Sequence, residues 1–246
     1  MNAVIAVFPA RLVARAGALL IAWCGAVALG APRNVVLFVT DDESPTLGCY
    51  GDRVAVTPAI DGLAADGTVF THAFATTASC SASRSVILSG LHNHANGQYG
   101  HQHDFHKFAS WHDVVSLSLP RALAAVGYRT ARIGKFHVAP EEVYHFEQVI
   151  PGGERNAVAM AERCRDFVTA RDERPFFLYF ATADPHRGGG VDAASSLELK
   201  PDLFGNLPGR AAHTGVEEVF FDPSEVPVPA FLPDTPETRA ELAQLW

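Results

Sequence analysis

Cysteine is scarce in this 246-residue chain, which carries only Cys24, Cys49, Cys80 and Cys164. Four thiols are too few for the disulfide framework of a small stapled scaffold. One pair could form among the last three, and spacing alone does not select it. Basic charge is also short: 19 Lys and Arg stand against 27 Asp and Glu, for a formal net charge of −8. A nonspecific nucleic-acid binder needs a basic face, so nucleic acid is not an expected partner. An anionic substrate would have to be drawn by a local cluster of cations, because the overall field repels it. Internal repeats and low-complexity tracts are absent. Only one apolar run is long, "AGALLIAWCGAVALGA", preceded by Arg11 and Arg15. It is short for a membrane span and ends in small residues. Residues 1–31 therefore read as a signal peptide cleaved between Ala28 and Ala31, which leaves no stable membrane span and makes the protein periplasmic or secreted.

What remains is 48% apolar over the whole chain and 19% charged, a balance that can fill a core. "NVVLFVT" (34–40) and "PFFLYFAT" (175–182) read as buried strands, and "YRTARIG" (128–134) alternates like one. Between them lie helix patterns. "TPAIDGLAADG" has Thr57 as N-cap, Pro58 at the first position, and Ile60, Leu63 and Ala64 on one face. "SLPRALAAVG" places Ser118 before Pro120, with Leu119, Leu123 and Val126 on one face. "NAVAMAERCRDFVTAR" is a longer amphipathic helix with Cys164 beside Val158, Ala161 and Val168. Residues 188–235 are rich in Gly and Pro and read as an irregular excursion. Thr235 and Pro236 then open a last helix. Strands alternating with helices predict an α/β fold with a mainly parallel central sheet flanked by helices.

In such folds ligands bind beyond the carboxyl ends of the strands. Three polar clusters occupy such ends: Asp41 and Asp42, Lys135 and His137, and Asp184 and His186. Two adjacent carboxylates are hard ligands suited to Ca²⁺ or Mg²⁺. Cys80 sits in "TTASCSASRSVILSG" among Ser79, Ser81 and Ser83, just before a short helix closed by Gly90, with Arg84 four positions on. A helix N-terminus favours an anion and lowers a thiol pKa. His92, His94, His101, His103 and His106 are irregularly spaced in a loop and read as surface or substrate-rim histidines. Cys164 reads as core.

"CSASRSVILSG" resembles the signature of the sulfatase family, Cys-x-(Pro or Ala)-x-Arg before a short helix. "NVVLFVTDD", "TPAIDGLAADGTVFTHAFAT", "GYRTARIGKFHVAP" and "RPFFLYFATADPHR" resemble further segments of that family. "GLHNHANGQYGHQHDFHKF", "GKFHVAPEEVYHF" and "DPHRGG" are most similar to its N-sulfoglucosamine sulfohydrolase (heparan N-sulfatase) type. The resemblance runs from Asn34 to the end. It implies an alkaline-phosphatase-like sulfatase domain, C-terminally truncated, with residues 32–246 as its N-terminal part.

The implied chemistry is hydrolysis of a sulfuric ester or sulfamate on a sulfated sugar or glycan. Cys80 would be converted to formylglycine by a formylglycine-generating or anaerobic sulfatase-maturing enzyme. Asp41, Asp42 and the oxygen of modified Cys80 would bind Ca²⁺, with Mg²⁺ second. Arg84 would hold the formylglycine hydrate, Lys135 and His186 would contact sulfate and leaving group, and His137 would orient or deprotonate the hydrate. Two features depart from the family pattern. Ala82 stands where many members have Pro, and the further Asp-Asn or Asp-His metal pair of a later strand does not occur before Trp246. The chain as written is expected to bind metal poorly and to have little activity. The alternatives are a phosphodiesterase or phosphonate hydrolase of the same superfamily, and a non-catalytic binder of sulfated glycans.

Overall fold

The computed structural model describes residues 32–102, 107–186, 219 and 221–243. The expected signal peptide, His103, His106 and most of the 188–235 excursion lie outside them. Four parallel strands form one sheet in the order β1-β4-β2-β3. They are β1 (Val35–Asp41), β2 (Arg129–Gly134), β3 (Gln148–Val149) and β4 (Phe176–Pro185). The α helices are α1 (Pro58–Asp66), α2 (Cys80–Ser89), α3 (Asn93–Asn96), α4 (Leu119–Ala125), α5 (Ala157–Thr169) and α6 (Pro236–Leu242).

Strand β4 organises the core because side chains alternate across a strand. Phe177, Tyr179 and Ala181 face one cluster with Leu88 of α2 and Val143, Tyr144 and Phe146. Phe176, Leu178 and Phe180 face the other, with Ile133 of β2 and Met160, Cys164 and Phe167 of α5. A strand buried on both faces needs an unbroken apolar run, which "PFFLYFAT" supplies.

Other expectations change in detail. β1 is an edge strand, and Val36 and Phe38 are each 54% exposed, so it is not a fully buried strand. The covered stripe of α5 is Met160, Cys164 and Phe167; Val158 and Val168 point outward. Cys164 is core as expected, on a different face. Helix α1 does not dock through Ile60 and Leu63, which are exposed. It is tied down by polar contacts: Thr57 Oγ1 accepts from Gly48 N (2.9 Å) and Asp61 Oδ1 accepts from Cys49 N (2.7 Å). In α4, Leu119 and Leu123 pack on the core, whereas Val126 lies past the helix end and is 72% exposed. Thr235 caps α6 by accepting from Thr238 N. Cys49, Cys80 and Cys164 are all free thiols.

Candidate active site

Helix α2 begins at Cys80 itself, three residues earlier than the stretch "SRSVILSG" suggests, with extended Ser79 as N-cap and left-handed Gly90 after its end. Ser79 makes no side-chain cap, because its Oγ lies 3.0 Å from His101 Nε2. The first-turn N–H groups therefore remain an anion-binding end. Ala82 is in that first turn, where a Pro would lose no intrahelical hydrogen bond, so Ala and Pro are interchangeable for the backbone here.

The serines around Cys80 are not a solvated face. Ser81 and Ser85 are fully buried. Asn93 Nδ2 donates to Ala82 O (2.9 Å) and Gln98 O (2.8 Å), and Asn96 Nδ2 donates to Ser85 Oγ (3.0 Å). Buried polar groups require such partners. Helix α3 therefore clamps the back of α2 and fixes where Cys80 and Arg84 point.

Arg84 is 2% exposed. It donates to Asp41 Oδ1 (2.8 Å), to the Tyr179 hydroxyl (2.8 Å) and to Lys135 O (3.2 Å). Its Nε is buried with no hydrogen-bond partner. Lys135 Nζ pairs with the other oxygen of Asp41. Burial alone would raise the Asp41 pKa, but the hydrogen bonds and charges of Lys135 and Arg84 outweigh it and hold the group below its ordinary value. The Arg84 pKa is raised despite its burial, by Tyr179 and Asp41.

The strand order explains this convergence. β1 and β2 both flank β4, so the residues just past their carboxyl ends meet over β4. Register shifts between Val39 and Asp41, which sets Asp41 opposite Pro185 and next to His186. Gly134 has φ +78, and a Cβ there would lie 2.0 Å from Ala181 O. Only glycine allows β2 to turn Lys135 toward Asp41.

Asp42, at φ 58, is exposed, and His186 Nε2 lies 3.6 Å from its Oδ2. Arg155 holds the carboxyl end of β4 by donating to Asp184 Oδ1 (2.5 Å) and His186 O (3.0 Å). His137 also has a positive φ, of 54. Its ring stacks on His101 at 5.7 Å between centroids. Ligand atoms of Asp41, Cys80 and His186 lie within 4.8 Å of one another, and so do those of Cys80, His101 and His137. The sequence reading left His101 at the substrate rim and missed Tyr179 and Arg155. Only the run of polar residues around His101 hinted at it.

The thiol differs from expectation. Burial, and then the charge of Asp41, push the Cys80 pKa up; Lys135 opposes them without prevailing. The helix end does not bring the Cys80 pKa below its ordinary value. As for a hard divalent ion, each Asp41 oxygen keeps a second lone pair beside its cation partner. Asp41 and Asp42 can thus serve as ligands, but they fall short of the six to eight oxygens of a Ca²⁺ site.

The family model described as Sulfatase matches residues 33–197, more than half of the chain. The chain belongs to the sulfatase family. It is 39% identical to human N-sulphoglucosamine sulphohydrolase over 221 residues, 86% of this chain and 43% of that protein. It is 29% identical to an ulvan-active sulfatase of Formosa agariphila, over 65% of this chain and 31% of the relative. The chain thus spans less than half the length of these relatives. Among solved structures, one in complex with D-glucosamine-2-N,6-O-disulfate aligns with TM-score 0.52 at 24% identity, covering 63% of this chain and 35% of the other. A second, in complex with a neocarrahexaose, aligns with TM-score 0.55 at 22% identity, covering 63% and 45%. At these identities the two structures support the fold alone. The sulfatase-family chain therefore has the expected α/β architecture of a mainly parallel sheet with helices.

Proposed function

We propose that the protein hydrolyses the sulfamate or sulfate ester of a sulfated sugar, with N-sulfoglucosamine as the substrate type. The observation that carries this reading is the Arg84–Asp41–Lys135 cluster at the open N-terminus of the helix that begins with Cys80. The 39% identity to a sulphohydrolase of that name supports the substrate type. Cys80 is the site of conversion to formylglycine, by a formylglycine-generating or anaerobic sulfatase-maturing enzyme. Once converted, Cys80 would supply a geminal diol there, with one hydroxyl as nucleophile toward sulfur and the other as the group whose proton loss would free sulfate.

Asp41 and Asp42 would hold a divalent cation, Ca²⁺ in our reading, which supplies Lewis-acid polarisation of a sulfuryl oxygen. The chain's own groups do the rest. Arg84 and Lys135 offset the charge that builds on the equatorial oxygens during in-line displacement. Both are prepositioned by Asp41, so little reorganisation is needed when the anion arrives. His137 borders Cys80 and takes the proton in the step for which imidazole has a suitable pKa. His186 stands on the Asp42 side, where a leaving amine or alcohol needs a donor. The protein acts in the periplasm or outside the cell.

The test uses the full-length protein from its native host. Peptide mass spectrometry is expected to find Cys80 as the aldehyde, and the protein to release sulfate from N-sulfoglucosamine. Cys80→Ala should abolish release. Turnover of a phosphodiester but no sulfated sugar, or a persistent thiol with glycan binding only, would overturn the reading.

A further inference from the structure

Cys80 belongs to two ligand groups. One combines it with the Asp41 carboxylate and with His186, so that a single oxygen stands among mixed donors. The other is soft, with His101 and His137, and its three ligand atoms lie within 4.8 Å of one another. A thiol and two imidazoles do not suit Ca²⁺, which takes oxygen. They are the donors Zn²⁺ selects. A tetrahedral set with Zn–N about 2.1 Å and Zn–S about 2.3 Å places its donors about 3.5 Å apart, so small side-chain rotations would complete it.

The surroundings are built for this. The His101 and His137 rings are held face to face at 5.7 Å, inclined by 29°. Ser79 Oγ lies 3.0 Å from His101 Nε2, the kind of contact that orients a liganding imidazole through its other ring nitrogen. His137 is kept in a left-handed backbone conformation that non-glycine residues seldom adopt, and it faces the thiol from there. All three side chains are half-buried, so an ion could enter without unfolding. With three protein ligands the fourth position would be open to water, as in catalytic rather than structural zinc sites.

We propose that the unconverted, thiol form of this protein binds one Zn²⁺ through Cys80, His101 and His137. The ion takes the thiolate and the thiol proton passes to solvent. Because Cys80 is shared, zinc held with His101 and His137 competes with any use of Cys80 beside Asp41. Conversion of Cys80 removes the sulfur and with it the zinc site. Zinc-loaded thiol is thus a masked form of the protein, shielded from reagents that attack sulfur. This site concerns the thiol state and does not depend on sulfatase turnover.

The test uses the full-length protein made without maturing enzyme, with Cys80 verified as thiol. Co²⁺, as a spectroscopic substitute, is expected to bind one per chain with an intense thiolate-to-metal band in the near ultraviolet. Cys80→Ser should remove the band. His101→Ala and His137→Ala should each weaken Zn²⁺ binding at least about tenfold. Peptide-resolved alkylation should show Zn²⁺ slowing modification of Cys80 but not of Cys49, which is likewise half-buried. Absence of the band, or unchanged Zn²⁺ affinity in Cys80→Ser, overturns the proposal. Failure of the sulfatase reading registers separately, as loss of sulfate release by converted protein.

Discussion

At the scale of single residues, Asp41 is the member of the Asp-Asp pair on which the site depends. It is 3% exposed and both of its oxygens hold a cation, while Asp42 lies in solvent. Asp41→Asn would leave the buried Arg84 guanidinium facing Lys135 with no counter-charge. Breaking a buried pair in this way costs roughly 3–5 kcal/mol, so urea unfolding of the variant should show a loss of that order. The pH dependence follows from the depressed pKa of Asp41. A carboxylate whose native pKa lies below its unfolded value of about 3.9 contributes full stability above that value. The contribution is lost as pH falls through the native pKa. The urea midpoint of the wild type should therefore drop below about pH 4, and Asp41→Asn should drop by less over the same range.

At the scale of elements, the site is a product of strand ends and one helix end. β2 delivers Lys135 only because Gly134 allows a backbone that approaches Ala181 O closely, and Lys135 N then donates to that same oxygen (2.9 Å). Gly134→Ala should destabilise the fold by at least about 1–2 kcal/mol from the positive φ alone, and by more from the 2.0 Å clash. Thermal unfolding would measure it, and a variant as stable as wild type would contradict this account of the turn. Helix α2 is held differently: its buried serines are useful because Asn93 and Asn96 bond to them and to its carbonyls. A sequence reading sees "SCSASRS" as a polar surface. The distinction depends on a partner helix of four residues, too short to announce itself by periodicity.

At the scale of the whole molecule, oxygen ligands decide metal affinity. Among the described residues, Asp41 and Asp42 supply carboxylates at the site, and Asp41 already serves two cations. We expect calorimetric titration of this chain with Ca²⁺ to show no micromolar binding; micromolar affinity would mean that the site draws oxygen ligands from elsewhere in the molecule. The sheet itself leaves Val36 and Phe38 of edge strand β1 exposed, while α5 covers β2 and β4 on the same side. Among the described residues no helix is long and apolar enough to cross a membrane.

The class of fold and the polar residues that gather at the strand ends are legible in the sequence alone. The apolar run "PFFLYFAT" is buried on both faces, whereas the equally apolar "NVVLFVT" became an edge strand with Val36 and Phe38 exposed; in both cases the polar residues that follow the run lie at the sheet's carboxyl edge. That reasoning located Asp41, Lys135, His137 and His186, and the helix signals located Cys80 and Arg84. The tertiary structure alone decided partnership. Lys135 meets Asp41 across 94 positions because β1 and β2 share β4 as neighbour. His101 joins Cys80 because a loop without periodicity folds back over the start of α2. Such contacts are set by the order of strands and by burial, and burial also reversed the expected direction of the Cys80 pKa, because desolvation of a thiolate outweighs a helix end when a carboxylate lies beside it.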